Sequence, residues 1–136
     1  MHADHATELH EILYVSTLAD SAPLRVVADI AAHSRQSNHQ RGITGLLVFD
    51  GMHFCQFFEG SAQAVERLMQ RIHHDPRHIR VSVLHQGPVA TRRFGSFSLG
   101  FTSVDDVEVL ERLQRLQGEA ALQAFVALLP KLDVNG

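Results

Sequence analysis

Residues 43–61 read ITGLLVFDGMHFCQFFEGS, and this stretch predicts a β-hairpin that leads directly into a helix. Two apolar runs, 43–49 and 53–59, flank Asp50-Gly51, a dipeptide that favours the tight turn of a hairpin. Ser61 follows the second run and is suited to cap the N-terminus of a helix. Two antiparallel strands are therefore expected in the middle of the chain.

The segments on either side of this hairpin complete a βαββαβ order. Residues 10–17 predict a strand, and the spacing from Leu24 to Ala32 predicts a helix that ends near Asn38, before a polar loop over 39–42. Residues 65–72 have helical spacing, 79–84 predict a fourth strand, and Phe97 to Phe101 a fifth. We expect an α+β fold: a ferredoxin-like βαββαββ sheet with two helices on one face, plus two C-terminal helices.

The two C-terminal helices lie in residues 105–136. Asp105-Asp106 is a candidate N-cap for a helix over 107–117, Gly118 is expected to end it, and a second helix is predicted over 119–129. Both helices carry an apolar stripe that must be buried. The free face of the sheet is one place for these stripes, and a partner subunit is the other.

Composition excludes several classes of protein. Of the 136 residues, 45% are hydrophobic, and 12 basic against 15 acidic residues give a formal net charge of −3. A disordered chain, a membrane-spanning helix and direct nucleic-acid binding through bulk electrostatics are not expected. The N-terminus lacks the pattern of a secretory signal and there is one cysteine, so we expect a cytoplasmic protein without membrane attachment.

Two polar residues in apolar strands are candidates for chemistry. Tyr14 is the only tyrosine and the chain has no tryptophan, so it is either a hydrogen-bonded core aromatic or, near an oxidant, an electron donor. Gln56 shares a strand face with Phe54 and Phe58, where its amide must find hydrogen bonds. It is either a satisfied surface amide or an amide that faces a polar planar ligand.

The remaining candidates lie near helix ends. Asn38, one turn after Ser34, is a C-cap or a partner for the edge of a heterocycle. In the run 73–78, Pro76 separates the histidines, so a metal site is not favoured. Arg77 and His78 could hold a phosphate or stack on a ring, or lie in an exposed loop.

Taken in order, several short motifs resemble the BLUF family, blue-light sensors that use FAD. The resemblance covers about residues 9–104 and rests on the stretches 12–16, Asn38, 42–47, 54–60, 75–78, 87–94 and 97–101. It implies that residues 1–104 form a flavin-binding sensor domain and that 105–136 form a helical extension packing on the sheet or on a partner. Three positions depart from the family pattern: Phe97 and Leu99 stand where tryptophan and methionine are common, and Ser37 where many members have asparagine.

The resemblance also implies a non-covalent flavin between the two helices: FAD, with FMN or riboflavin as alternatives. Tyr14 would donate an electron and a proton after blue-light excitation, and Gln56 would rearrange its hydrogen bonds. The flavin pocket would be formed by Ile30, Ser34, Asn38, Phe54, Gln56, Ile72, Asp75, Arg77 and His78. No substrate would be turned over, and the signal would pass to a partner protein or through a homo-oligomer.

Two other functions remain open from the sequence. One is a colourless ferredoxin-like enzyme of the acylphosphatase type, for which Asn38 and Arg41 are the candidate phosphate-binding pair. The other is an interaction module without a cofactor.

Overall fold

The computed structural model describes residues 8–95 and 97–131, and these form a five-stranded sheet between two layers of helices. The elements in chain order are β1 (Leu9–Leu18), α1 (Arg25–Arg41), β2 (Thr44–Phe49), β3 (His53–Ser61), α2 (Ala62–His74), β4 (His78–Pro88), β5 (Gly100–Ser103), α3 (Val107–Leu113) and α4 (Gly118–Leu128), followed by a 3₁₀ turn at Leu129–Lys131. No helix in the described part of the chain is long and apolar enough to span a membrane.

The strand order is β4-β1-β3-β2-β5. The first four strands are antiparallel neighbours, and β5 adds to the edge parallel to β2. This is the ferredoxin-like order with one extra strand, so the predicted fold class is confirmed. The pairing of β1 with β3 places Tyr14 directly opposite Gln56 in the centre of the sheet.

Helices α1 and α2 cover one face of the sheet. Ile12 and Phe58 pack against Val65 and Ile72 of α2, while Phe54 lies in a cluster with residues of α1. Ser61 caps α2 as predicted, because its hydroxyl accepts a hydrogen bond from the backbone N–H of Ala64 at 3.2 Å. The two helices therefore lie side by side above Tyr14 and Gln56.

Helices α3 and α4 pack on the opposite face. The strand residues there alternate with those under α1 and α2, and they include Leu13, Cys55 and Phe57. The Phe57 ring stacks on Phe125 of α4 with centroids 5.9 Å apart and an interplanar angle of 14°. Burial raises the pKa of the Cys55 thiol far above its ordinary value, so this group stays protonated.

The structure corrects three predicted boundaries. Helix α1 continues to Arg41, so the predicted loop over 39–42 is mostly helical; Gly42 ends the helix with a φ of +69° and donates to the carbonyl of Asn38. Strand β5 begins at Gly100 rather than at Phe97. Helix α3 ends at Leu113, because the chain passes through tighter turns before Gly118, whose φ is +61°.

Candidate functional site

A cavity of about 210 Å³ opens between α1 and α2, with the sheet at its base. It is lined by Tyr14, Ile30, His33, Ser34, Ser37, Asn38, Gln56, Leu68, Arg71, Ile72, Asp75, Arg77 and His78. Small-molecule sites typically enclose ~300–1,000 Å³. At about 210 Å³ the cavity is smaller than this range, so it can enclose only part of a ligand of that size.

At the base of the cavity, Tyr14 and Gln56 form a hydrogen bond. The phenol donates to Gln56 Oε1 at 2.7 Å, and the two residues are 1% and 5% exposed. Burial raises the pKa of Tyr14 far above its ordinary value, so the phenol is neutral at any physiological pH. Because Oε1 of Gln56 accepts from Tyr14, its amide N–H₂ group, which has no protein partner among the described residues, is available to a ligand.

The side of the cavity presents an unsatisfied acceptor. Asn38 is 1% exposed, and its Nδ2 donates to the backbone carbonyl of Ser98 at 2.9 Å. Its Oδ1 is buried without a hydrogen-bond partner in the described chain, which costs ~1–3 kcal/mol unless a ligand supplies a donor. A ligand with an N–H or O–H group at this edge of the cavity would satisfy Oδ1 of Asn38.

The other end of the cavity carries a charged pair and an imidazole. Arg77 donates to both carboxylate oxygens of Asp75, at 2.7 to 3.1 Å, and this hydrogen bonding holds the pKa of Asp75 below its ordinary value. His78 Nδ1 lies 2.9 Å from the hydroxyl of Ser16, and burial lowers the pKa of His78. The ion pair is internally neutralised and the imidazole is uncharged at neutral pH.

The structure brings the predicted site residues together with one exception. Phe54 does not line the cavity; it is fully buried beneath it, with its ring 4.7 Å from that of His78. The lining residues His33, Leu68 and Arg71 were not predicted. His33 and Leu68 lie three and four positions from the predicted Ile30 and Ile72 on the same helices, so helical spacing could have identified them, whereas Arg71 gave no such signal.

Two alternative sites are not formed by the described residues. Arg41 bonds the hydroxyl of Ser37 at 3.1 Å on the exposed side of α1, whereas Asn38 points inward, so this pair does not converge on a phosphate. Within residues 8–95 and 97–131, no three His, Cys, Asp or Glu side chains are grouped so as to hold a metal ion.

The fold and the site define a small α+β domain in which a phenol and a carboxamide meet at the base of a cavity. Residues 9–100 match the family model described as "BLUF: Sensors of blue-light using FAD". The chain belongs to the BLUF family, whose members bind flavin and sense blue light. The resemblance seen in the sequence is confirmed.

Known relatives agree with this assignment. The chain is 32% identical over 128 residues to the blue light- and temperature-regulated antirepressor BluF of Escherichia coli (strain K12). The aligned region covers 86% of this chain and 32% of that protein. It is 30% identical over 133 residues to the photoactivated adenylate cyclase subunit alpha of Euglena gracilis, covering 95% of this chain and 13% of that protein. The chain therefore spans about a third or less of these curated relatives.

Solved structures show the same fold. The dark-state structure of the BLUF protein BlrB is 32% identical and superposes with a TM-score of 0.71, covering 81% of this chain and 84% of that one. The photo-activated state of BlsA is 22% identical with a TM-score of 0.78, covering 94% of this chain and 99% of that one, and it shows the fold alone.

Proposed function

We propose that the cavity holds the isoalloxazine ring of a flavin and that Tyr14 and Gln56 are the pair that responds to light. The observation that carries the proposal is the 2.7 Å hydrogen bond from Tyr14 to Gln56 Oε1 at the base of the cavity. The unsatisfied Oδ1 of Asn38 supports it, because the pyrimidine edge of a flavin offers an N–H donor there. When bound, the flavin supplies the absorption of blue light and an electron acceptor.

The protein's own part begins with Tyr14. It gives up an electron, and its proton leaves with it, since an oxidised phenol is a far stronger acid than the buried neutral group. The proton moves along the hydrogen bond to Gln56, whose amide rotates or tautomerises while Tyr14 is oxidised. When the electron and proton return to Tyr14, the amide keeps its new arrangement, and relaxation in the dark restores the first one.

The flavin is proposed to be FAD, with FMN as the alternative that shares its phosphate chemistry. The Asp75–Arg77 pair is neutral, but Arg71 also lines the cavity, and Arg67 lies one helical turn away on α2. Burial, with Arg41 and Arg67 nearby, lowers the pKa of Arg71. The guanidinium groups of Arg41, Arg67 and Arg71 contact no carboxylate among the described residues. Together they favour a ligand with a phosphate near the cavity opening.

The domain is proposed to act as a sensor without an enzymatic activity of its own. The bacterial relative is an antirepressor and the Euglena relatives are adenylate cyclase subunits, each much longer than this chain. We propose that residues 1–104 are the sensing unit, that 105–136 are the extension through which it signals, and that the recipient is a partner protein or a second copy. Residues 1–7, 96 and 132–136 of these ranges lie outside the described residues. A cytoplasmic location is proposed on the basis of the single, buried cysteine.

A difference spectrum of the purified chain tests the photoresponse. Blue light is expected to shift the flavin absorption to the red, and the shift is expected to decay in the dark. Gln56→Leu and Tyr14→Phe are expected to keep the flavin but lose the shift, while Gln63→Leu, on the exposed side of α2, keeps both. A colourless wild-type chain, or a normal shift in Gln56→Leu, would contradict the proposal.

A further inference from the structure

Two carboxylates are buried side by side on the face of the sheet opposite the cavity. Glu11 of β1 and Glu59 of β3 are cross-strand partners, and they are 3% and 0% exposed. Two adjacent buried anions are costly unless donors and cations surround them. The groups that do so come from the segment after β4, from His85 within β4 and from Thr44 at the start of β2.

Glu59 holds the backbone of the β4–β5 segment. Its Oε1 accepts from the backbone N–H of Arg93 at 2.8 Å, and its Oε2 accepts from that of Phe94 at 2.7 Å. The hydroxyl of Thr44 donates to Oε2 at 3.0 Å. Charge-assisted bonds to backbone N–H groups are among the stronger hydrogen bonds in proteins, so Glu59 fixes where this segment begins.

Glu11 is held by side chains instead. His85 Nε2 lies 2.7 Å from Glu11 Oε2, and Arg93 Nε lies 3.6 Å from Oε1. Among the described residues, Glu11 makes no hydrogen bond to the backbone of the β4–β5 segment. It is therefore the comparison for Glu59: a neighbouring buried carboxyl that makes no hydrogen bond to the main chain of this segment, and whose Oε1 has no hydrogen-bond partner among the described residues.

The segment that Glu59 holds continues to the cavity. The N–H of Phe97 donates to the carbonyl of Phe94 at 3.0 Å, and the carbonyl of Phe97 accepts from Gly45 of β2 at 3.1 Å. The next carbonyl, that of Ser98, accepts from Asn38 Nδ2. A short path of hydrogen bonds thus joins Glu59 on one face of the sheet to the amide of Asn38 in the flavin cavity on the other.

We propose that Glu59 is a positioning residue for flavin binding: by holding the N–H groups of Arg93 and Phe94 it places the Ser98 carbonyl, which in turn orients the Asn38 amide. This inference rests on the proposed function, since it assumes that the cavity holds a flavin. In Glu59→Gln, one of the two backbone N–H groups meets an amide N–H₂ and loses its acceptor. The segment loosens, and Asn38 no longer presents Oδ1 in a fixed direction.

The test is a titration of the flavin-free full chain with FAD, in which binding is measured by the quenching of FAD fluorescence. Glu59→Gln is expected to weaken FAD binding about tenfold, the effect of one impaired hydrogen bond to a buried group, and Glu11→Gln by less than about twofold. In an Asn38→Ala background, Glu59→Gln is expected to have almost no further effect, because both changes act through the same contact. The red shift in light is expected to remain in Glu59→Gln, since Tyr14 and Gln56 are intact.

Hydrogen exchange provides a second measurement. The amide hydrogens of Gly45 and Phe97 are expected to exchange faster in Glu59→Gln and at the wild-type rate in Glu11→Gln. If Glu59→Gln does not fold, Thr44→Val removes one donor to the same carboxylate and is expected to weaken FAD binding about threefold, again only when Asn38 is present.

Three outcomes would overturn the inference: equal weakening by Glu59→Gln and Glu11→Gln, an undiminished effect without Asn38, or loss of the red shift in Glu59→Gln. Either of the first two outcomes would mean that Glu59 only stabilises the fold, and the third would mean that Glu59 acts on Gln56. A wild-type chain that binds no FAD would overturn the proposed function itself, which keeps the two failures distinct.

Discussion

At the scale of single residues, the charge balance of the cavity depends on Arg71. It lines the cavity without a carboxylate partner, whereas Arg77 is neutralised by Asp75. Arg71→Gln is expected to weaken binding of FAD and FMN several-fold and to leave riboflavin binding unchanged, since riboflavin has no phosphate. Titrations at low and high salt check this, because an exposed cation acts through a field that salt screens. Arg115→Gln, on the opposite face, is the control; an equal loss for all three flavins would contradict the expectation.

His78 makes stability depend on pH. Burial lowers its pKa from the ordinary 6.5, a nearby Arg77 adds to this, and Asp75 opposes it. The unfolded chain therefore takes up a proton at His78 before the folded chain does, so its contribution to stability is complete above about pH 6.5 and decreases as the pH falls below that value. Denaturant unfolding measured between about pH 7.5 and about pH 5, a range that spans the titration of histidine, is expected to show this loss of stability. His78→Gln is expected to reduce the slope; an unchanged slope would assign the loss to other histidines.

At the scale of secondary-structure elements, the central hairpin and both cavity helices could be predicted because local patterns determine them. The two apolar runs 43–49 and 53–59, the Asp50-Gly51 turn between them and the cap at Ser61 are properties of the sequence alone. The start of β5 could not be predicted in this way. Residues 97–99 alternate like a strand, but their carbonyls accept from Gly45, Asn38 and Arg35, and these partners are distant in sequence.

The candidate site shows the same division. Tyr14 and Gln56 were identified because a polar group in an apolar strand needs a partner. Asn38 was identified because it lies near the end of a helix, where it is either a cap or a partner for the edge of a heterocycle. Arg71 was missed because an arginine on the polar side of an amphipathic helix is ordinary until the fold places it beside a cavity. Phe54 was assigned to the cavity through the family resemblance, but its fully buried ring lies beneath the cavity, against the ring of His78.

The end of α1 gives a prediction at this scale. Gly42 has a φ of +69°, and a Cβ added there would meet no atom within 4 Å. Gly42→Ala is therefore expected to destabilise the fold by about 1 kcal/mol through backbone strain alone. Gly87→Ala is the matched control, since its Cβ also meets open space but its φ is not positive. Chemical denaturation of both variants checks this, and equal stabilities would show that α1 ends without a left-handed residue.

At the scale of the whole molecule, the sheet separates the cavity under α1 and α2 from the apolar core under α3 and α4. Tyr14 and Gln56 face α1, α2 and the cavity, while their neighbours Leu13 and Phe57 face α3 and α4. Phe57 contacts both Phe94 of the β4–β5 segment, with ring centroids 5.4 Å apart, and Phe125 of α4. Through Phe57, the β4–β5 segment is therefore linked to α4 as well as to the cavity.

The last prediction concerns what α3 and α4 contribute to the molecule. Removal of residues 105–136 would expose the apolar face that includes Leu13, Leu46 and Phe57, all of which are 0% exposed in the full chain. A contiguous apolar surface of this kind drives association, so residues 1–104 are expected to aggregate or to pair through it, as light scattering after gel filtration would show. In the full chain, Phe125→Ala is expected to cost ~3–5 kcal/mol, whereas Leu24→Ala, on an exposed side chain, costs little. A monomeric 1–104 fragment with the thermal stability of the full chain would show that α3 and α4 are an appended layer, and that the sheet is stable with one face open to water.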